Sequence, residues 1–196
     1  MSEGKVKVAV VGVGGMGSNH CKNIRKIDEF ELTAVVDIKP ERAAEMGEQF
    51  EVEHLTDHRE LLERGMAEAV VIATPHYFHP PVAIDAFQAG LHVLSEKPIG
   101  VRIGMAEKMA QAAKDSGKVF CVMFQNRTRA DVQKALELIE EGALGEVRRT
   151  LLVAPWYRSN AYYESGTWRA TWGGEGGGVL MNQAPHDLDL FCLLGG

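Results

Sequence analysis

VKVAVVGVGGMG, residues Val6 to Gly17, decides how the chain folds. Val6, Val8, Val10 and Val11 give a short β-branched apolar run suited to a buried parallel strand. Gly12, Gly14 and Gly17 come next at the G-x-G-x-x-G spacing, and each has a mechanical task. Gly12 permits the tight turn out of the strand, Gly14 lets the backbone approach a pyrophosphate, and Gly17 lets a new helix pack closely on the sheet. That helix presents free N–H groups to an anion, with Gly15 and Met16 in the same turn.

The glycine spacing gains its meaning from the second apolar run, Leu32 to Val36. That run ends in Asp37, about 20 residues beyond Gly17, where a dinucleotide fold places the acid that accepts ribose hydroxyls. The carboxylate hydrogen-bonds the free 2′-hydroxyl of NAD and repels the 2′-phosphate of NADP, so the expected cofactor is NAD. Lys39 and Arg42 stand nearby and oppose that preference; Ile38 and Arg42 join the cofactor-binding set.

The 196 residues, 45% of them hydrophobic, suffice for one full domain and part of another. A net charge of −6 argues against a nucleic-acid partner or an anionic membrane surface. Cys21, Cys121 and Cys192 are odd in number and far apart, without a C-x-x-C pair. They indicate neither a disulfide framework nor zinc, and read as small buried hydrophobes in a reducing compartment. Met1 to Lys5 lead straight into the first strand, with no secretion leader and no membrane span in the sequence, so a cytoplasmic location is expected.

Strand and helix then alternate. Helices are expected over Ser18 to Ile27, Pro40 to Phe50, His58 to Arg64, Pro81 to Ala89 and Ile103 to Ser116. Strands are expected over Glu31 to Val36, Ala69 to Ala73, Leu91 to Leu94 and Val119 to Phe124. This is an α/β pattern: a Rossmann-type, doubly wound parallel sheet with right-handed crossovers, which binds ligands at the carboxyl ends of its strands. Thr74, Pro75, Glu96, Lys97, Asn126 and Arg127 all fall at such ends. Beyond a boundary near residue 126, the reading is a helix over Ala130 to Glu141, a strand over Glu146 to Ala154, an aromatic loop from Trp156 to Trp172, the glycine run 173–178 and a final helix to Leu194. The domains are thus 1–126 and 127–196.

Five pieces coincide: GVGGMG, Asp37, TPHYFH from Thr74 to His79, EKP from Glu96 to Pro98, and GGGVLMNQAPHDLD from Gly176 to Asp189. Together they resemble the glucose-fructose oxidoreductase, inositol dehydrogenase and rhizopine-catabolism (Gfo/Idh/MocA) family of NAD(P)-dependent oxidoreductases. The resemblance implies a Rossmann domain followed by a glyceraldehyde-3-phosphate-dehydrogenase-like α/β domain that covers the nicotinamide and holds a sugar. It also implies a cis Lys97–Pro98 bond and a homo-oligomer. The second domain is incomplete by that standard, since the family's large antiparallel sheet is represented here by one strand, and the sequence reads as the front portion of a longer enzyme. Position 182 also departs from the pattern: many members carry an acid four residues before the histidine, whereas Asn182 cannot act as a general base.

The expected activity is NAD-dependent hydride transfer between nicotinamide and a secondary hydroxyl of a sugar or polyol. The resemblance makes Lys97 a catalytic cation that binds the reacting oxygen and His186 the acid/base, whose ordinary pKa near 6.5 suits proton transfer at neutral pH. If one helix runs through Asn182, His186 and Asp189, the three share a face and Asp189 orients the imidazole. Thr74, Pro75, His76, His79, Glu96 and Lys97 line the nicotinamide half, no metal is expected at His76 and His79, and Asn126, Arg127, Trp168, Arg169, Asn182 and His186 are the substrate set. The alternatives are a lyase or hydrolase that uses bound NAD transiently, and an NAD-binding module without turnover.

Overall fold

The computed structural model describes residues 4–164, 166 and 168–196; Met1 to Glu3 and, in the expected aromatic loop, Ser165 and Thr167 lie outside the described residues. Two compact units succeed one another, the first ending at Val122 and the second beginning at Met123.

The first unit alternates strand and helix: β1 (Val6–Val11), α1 (Gly15–Ile24), β2 (Phe30–Val36), α2 (Pro40–Phe50), β3 (Glu53–Leu55), α3 (His58–Glu63), β4 (Ala69–Ile72), α4 (His79–Gln88), β5 (His92–Ser95), α5 (Ile103–Ser116) and β6 (Phe120–Val122). The six strands pair in parallel in the order β3-β2-β1-β4-β5-β6. The chain therefore runs outward from β1 on one side and restarts beside it at β4, so a crevice opens above the carboxyl end of β1, where the glycine turn sits.

Successive side chains of a strand point to opposite faces, and the buried residues sort accordingly. Val8 and Val10 of β1 pack with Cys21 and Ile24 of α1 and Met46 and Phe50 of α2. Ala9 and Val11 pack with Leu61 of α3, Val82, Ala83, Ala86 and Phe87 of α4, and Met109 and Ala113 of α5. Each fully buried aliphatic side chain contributes about 1.5–3 kcal/mol, and the two layers hold the sheet from both sides. Local signals set the helix starts: Pro40 opens α2, and the Asp57 carboxylate accepts the Arg59 N–H at 2.9 Å to cap α3.

The structure corrects several expectations, three of them as follows. β3 adds a strand that the apolar pattern does not announce, because only Leu55 of its three residues is buried and the strand forms by pairing Leu55 with Val36. The first helix begins at Gly15, not Ser18, since the glycine turn itself provides its first residues. Of the three cysteines only Cys21 is buried, its thiol pushed by desolvation up to about 11, whereas Cys121 and Cys192 are exposed.

The second unit contains α6 (Ala130–Glu140), α7 (Asn160–Glu164), α8 (Val179–Asn182) and α9 (Pro185–Gly195). Residues 146–154, expected as a strand, are irregular, and no strand of the described residues pairs with them. A strand exists through its ladder of hydrogen bonds, and without a partner the apolar pattern alone does not make one. Among the described residues, no helix is long and apolar enough to cross a membrane.

Candidate active site

The crevice over β1 is built from backbone first. Gly12 turns out of the strand at φ +87°, its N–H donating to Val36 O at 2.7 Å, and an added Cβ would stand 2.8 Å from the Ala73 and Thr74 backbone. One turn into α1, a Cβ on Gly17 would stand 1.9 Å from Gly12 O, so the helix is pressed against the turn where only glycine fits. Gly14 and Gly15 differ: nothing lies within 4 Å of a Cβ on either. Open space thus faces the first N–H groups of a ten-residue helix, the arrangement that receives a pyrophosphate. Met16 is half exposed beside it.

Asp37 closes one flank. Its Oδ2 accepts the Val13 N–H at 3.1 Å and its Oδ1 the Lys39 N–H at 3.0 Å. A carboxylate has about four lone-pair sites, so two remain to accept ribose hydroxyls. Ile38 is strongly exposed next to it. Arg42 is held by two bonds, its Nε donating to Val13 O at 2.8 Å and its NH1 meeting Glu45 at 2.7 Å, an arrangement that binds it to the glycine turn and to an acid. Replacing Asp37 by alanine should weaken NAD binding by about 10- to 100-fold, the range for losing hydrogen bonds to a charged group, and should lower the preference for NAD over NADP by about tenfold or more. Calorimetric titration of both nucleotides checks this.

On the other flank stand the ends of β4 and β5. Thr74 has its Oγ1 buried with no hydrogen-bond partner among the described residues, an orphan that a ligand in the crevice would satisfy. Pro75 leads into a 3-10 turn, His76–Phe78, in which His76 is buried. His79 is 1% exposed, with Nδ1 2.7 Å from Pro98 O and Nε2 2.8 Å from Thr74 O. Desolvation lowers its pKa against the opposing pull of the two carbonyls and Glu96, and because both facing carbonyl oxygens only accept, the neutral ring donates to one of them at a time. Both nitrogens face protein, which makes His79 a brace between turns. Lys97, half-buried, precedes Pro98 through a cis peptide bond.

Glu96 is 8% exposed, and its Oε1 lies 2.8 Å from Nε2 of His20 on α1. His20 joins the site only through the fold. Its place three residues after Gly17, on the same face of α1, is the one local signal for it, and its partner lies 76 residues on.

In the second unit, Asn126 and Arg127 occupy a 3-10 turn, Gln125–Thr128. Arg127 meets Asp189 as a fork, its Nε donating at 2.7 Å and its NH2 at 2.5 Å. Asp189 therefore grips Arg127 with both carboxylate oxygens. The shared helical face fails: the chain breaks between α8 and α9, with Pro185 as the first residue of the new helix, so Asn182 and His186 belong to different elements. The His186 ring meets Phe124 edge to face at 5.9 Å. Asn182 is buried and its Nδ2 donates to Oε1 of Glu175, an acid that sits within the glycine run and carries no signal of its own in the sequence. A cavity of about 260 Å³ is lined by Tyr163, Thr171, Trp172, Glu175, Asn182 and Gln183. Arg169 donates to the Tyr162 hydroxyl at 2.7 Å, with its guanidinium 4.7 Å from the Trp168 ring centroid. Among the described residues, no three His, Cys, Asp or Glu gather at metal-ligand geometry.

Residues 6–124 match the family model described as an oxidoreductase family with an NAD-binding Rossmann fold, and residues 132–196 match the GFO/IDH/MocA C-terminal domain. The inositol 2-dehydrogenase of Rubrobacter xylanophilus is 32% identical over 187 residues, covering 94% of this chain and 51% of that protein. The levoglucosan dehydrogenase of Pseudarthrobacter phenanthrenivorans is 31% identical, covering 94% and 50%. The crystal structure of the WlbA dehydrogenase from Bordetella pertussis in complex with NADH and UDP-GlcNAcA superposes with a TM-score of 0.88 at 34% identity, covering 98% of this chain and 60% of that one. The chain spans about half the length of the curated relatives it matches.

Proposed function

This chain belongs to the Gfo/Idh/MocA family of oxidoreductases, and on that premise we propose that the protein is an NAD-dependent dehydrogenase or reductase acting on a secondary hydroxyl of a sugar, cyclitol or related carbohydrate. The observation that carries this reading is the open space over Gly14 and Gly15 at the start of α1, flanked by Asp37 on one side and by the Glu96–Lys97 turn on the other. Gly12, Gly14, Gly15, Met16 and Gly17 hold the pyrophosphate, and Asp37, with Ile38 and Arg42 beside it, holds the adenosine ribose. The orphaned Thr74 hydroxyl, with Pro75, His76, Glu96 and Lys97, serves the nicotinamide half. His79 supports this half indirectly, through its contacts with the Thr74 and Pro98 carbonyls. When bound, the nicotinamide accepts or returns the hydride.

The chain's own residues supply position and proton handling. Lys97 donates to the reacting oxygen and stabilises the negative charge that develops there. His186 takes the hydroxyl proton in oxidation and returns it in reduction. Asn126, Arg127, Asn182, Trp168 and Arg169 are assigned to substrate, Arg127 through its fork with Asp189 and Arg169 beside the aromatic rings, whose faces suit sugar C–H surfaces. The names of the relatives, which act on inositol and levoglucosan, support a polyhydroxylated ring as substrate. We place the protein in the cytoplasm, as its unpaired cysteines suit, and expect the whole protein to be a homo-oligomer.

The test is a substrate panel. The full-length protein, incubated with NAD and separately with myo-inositol, glucose, levoglucosan and a nucleotide-linked hexuronate, should produce NADH with at least one. Retention of NAD binding without net NADH formation or consumption across sugars and their keto forms would refute it.

A further inference from the structure

One hydrogen bond joins two parts of the first unit that the reaction uses for different purposes. His20 sits on α1, the helix whose N-terminus faces the pyrophosphate space, one turn beyond the Gly17 that is wedged against Gly12. Its Nε2 lies 2.8 Å from Oε1 of Glu96, and both side chains are close to nine-tenths removed from solvent. Glu96 is fixed from three sides: its N–H donates to Ile72 O at 2.8 Å, its carbonyl accepts the Ser95 hydroxyl at 3.0 Å, and its carboxylate reaches His20. On the far side of Lys97, Pro98 O lies 2.7 Å from Nδ1 of His79. Lys97 is thus the one residue between two anchored neighbours, and the anchor on its amino side runs back to α1.

We propose that His20 is a positioning residue: by holding Glu96 it sets the Lys97 turn against the nicotinamide half of the crevice, so that the pyrophosphate-binding helix and the proton-handling turn form one mechanical unit. The inference rests on the dehydrogenase reading. A buried carboxylate that loses its hydrogen-bond partner must find water or a proton, and Glu96 would do so by swinging out of the turn, which carries the Lys97 backbone with it. The effect should be confined to one half of the cofactor. In this strand order the adenosine half lies over β1 and β2, with Asp37 at the end of β2, whereas the Glu96–Lys97 turn comes after β5.

The experiment compares ADP, which reaches only the adenosine and pyrophosphate contacts, with NAD and NADH on the full chain. In His20→Ala, ADP affinity should stay within about twofold of wild type while NAD affinity falls about tenfold, and the fluorescence change of NADH on binding should be lost. His20→Gln, whose Nε2 can donate to Glu96, should restore NAD affinity and the NADH signal to within about threefold. His20→Phe, which fills the space without a hydrogen bond, should behave as His20→Ala, and the Phe and Gln pair decides the matter if the alanine variant does not fold. Equal weakening of ADP and NAD, or no rescue by glutamine, overturns the positioning role and leaves the cofactor reading intact. A wild-type chain that binds ADP and NAD with equal affinity overturns it as well. A chain that binds neither nucleotide removes the cofactor reading and this inference together.

Discussion

Replacing Lys97 by alanine in the full-length protein should lower turnover by about 10²- to 10⁴-fold while weakening NAD binding far less, by about tenfold at most. The expectation comes from what an ammonium can do at this place. Lys97 is half-buried at the end of β5, where water screens its charge less than at an open surface, and its neighbours on both sides are tied down. A cation fixed in this way stabilises charge that appears only as the hydroxyl proton leaves, so its removal costs rate more than binding. His186→Ala should lose turnover by a similar factor if His186 is, as proposed, the base that accepts that proton. Steady-state kinetics with NAD held saturating, alongside calorimetric NAD titration, separates the two quantities. A loss below about tenfold in either variant would remove that residue from the reaction.

The second large effect is expected from a single methyl group. A Cβ on Gly17 would stand 1.9 Å from the Gly12 carbonyl oxygen and 2.9 Å from its carbon, both backbone atoms that cannot rotate away. α1 must therefore lift from the sheet in Gly17→Ala, loosening Cys21 and Ile24 in the layer they share with Val8 and Val10. Overpacking of this kind costs about 1–3 kcal/mol, and NAD affinity should fall about 100-fold because the helix N-terminus no longer aims at the pyrophosphate space. Gly14→Ala is the matched control. Its φ is −64° and nothing lies within 4 Å of the added carbon, so thermal stability should hold within about 0.5 kcal/mol. NAD binding should nevertheless weaken by about tenfold or more, since the proposed pyrophosphate site needs that empty space. Melting curves with and without NAD distinguish a site lost by unfolding from a site merely filled.

The contrast between these two glycines shows what was legible in the sequence. The spacing of Gly12, Gly14 and Gly17, the apolar run of Val6, Val8, Val10 and Val11, and the acid at the end of β2 are local signals, and each strand and helix they imply is present. Features created by contacts distant in sequence were not legible. β3 owes its existence to pairing with β2. Residues 146–154 carry the apolar pattern of a strand and remain irregular for want of a partner among the described residues. His20 acquires its meaning from Glu96, Asp189 takes Arg127 from 62 residues away, and Glu175 stands inside a glycine run with the pattern of a bare hinge. A residue's type announces its chemistry, while its partner, and hence its role, is set by the fold.

The bond from the Val13 N–H to Asp37 also limits how the protein can be re-engineered or can diverge. The carboxylate assigned to cofactor selection also pins the glycine turn across 24 residues of chain, so the proposed discrimination and the turn's rigidity fall on one side chain. A redesign toward NADP that exchanges Asp37 for a small neutral residue removes the repulsion and unfastens the turn in the same step. Lineages or libraries that change cofactor should therefore be enriched in second changes that give Val13 another acceptor. Serine and asparagine at position 37, which keep an oxygen for that N–H, offer shorter paths than alanine.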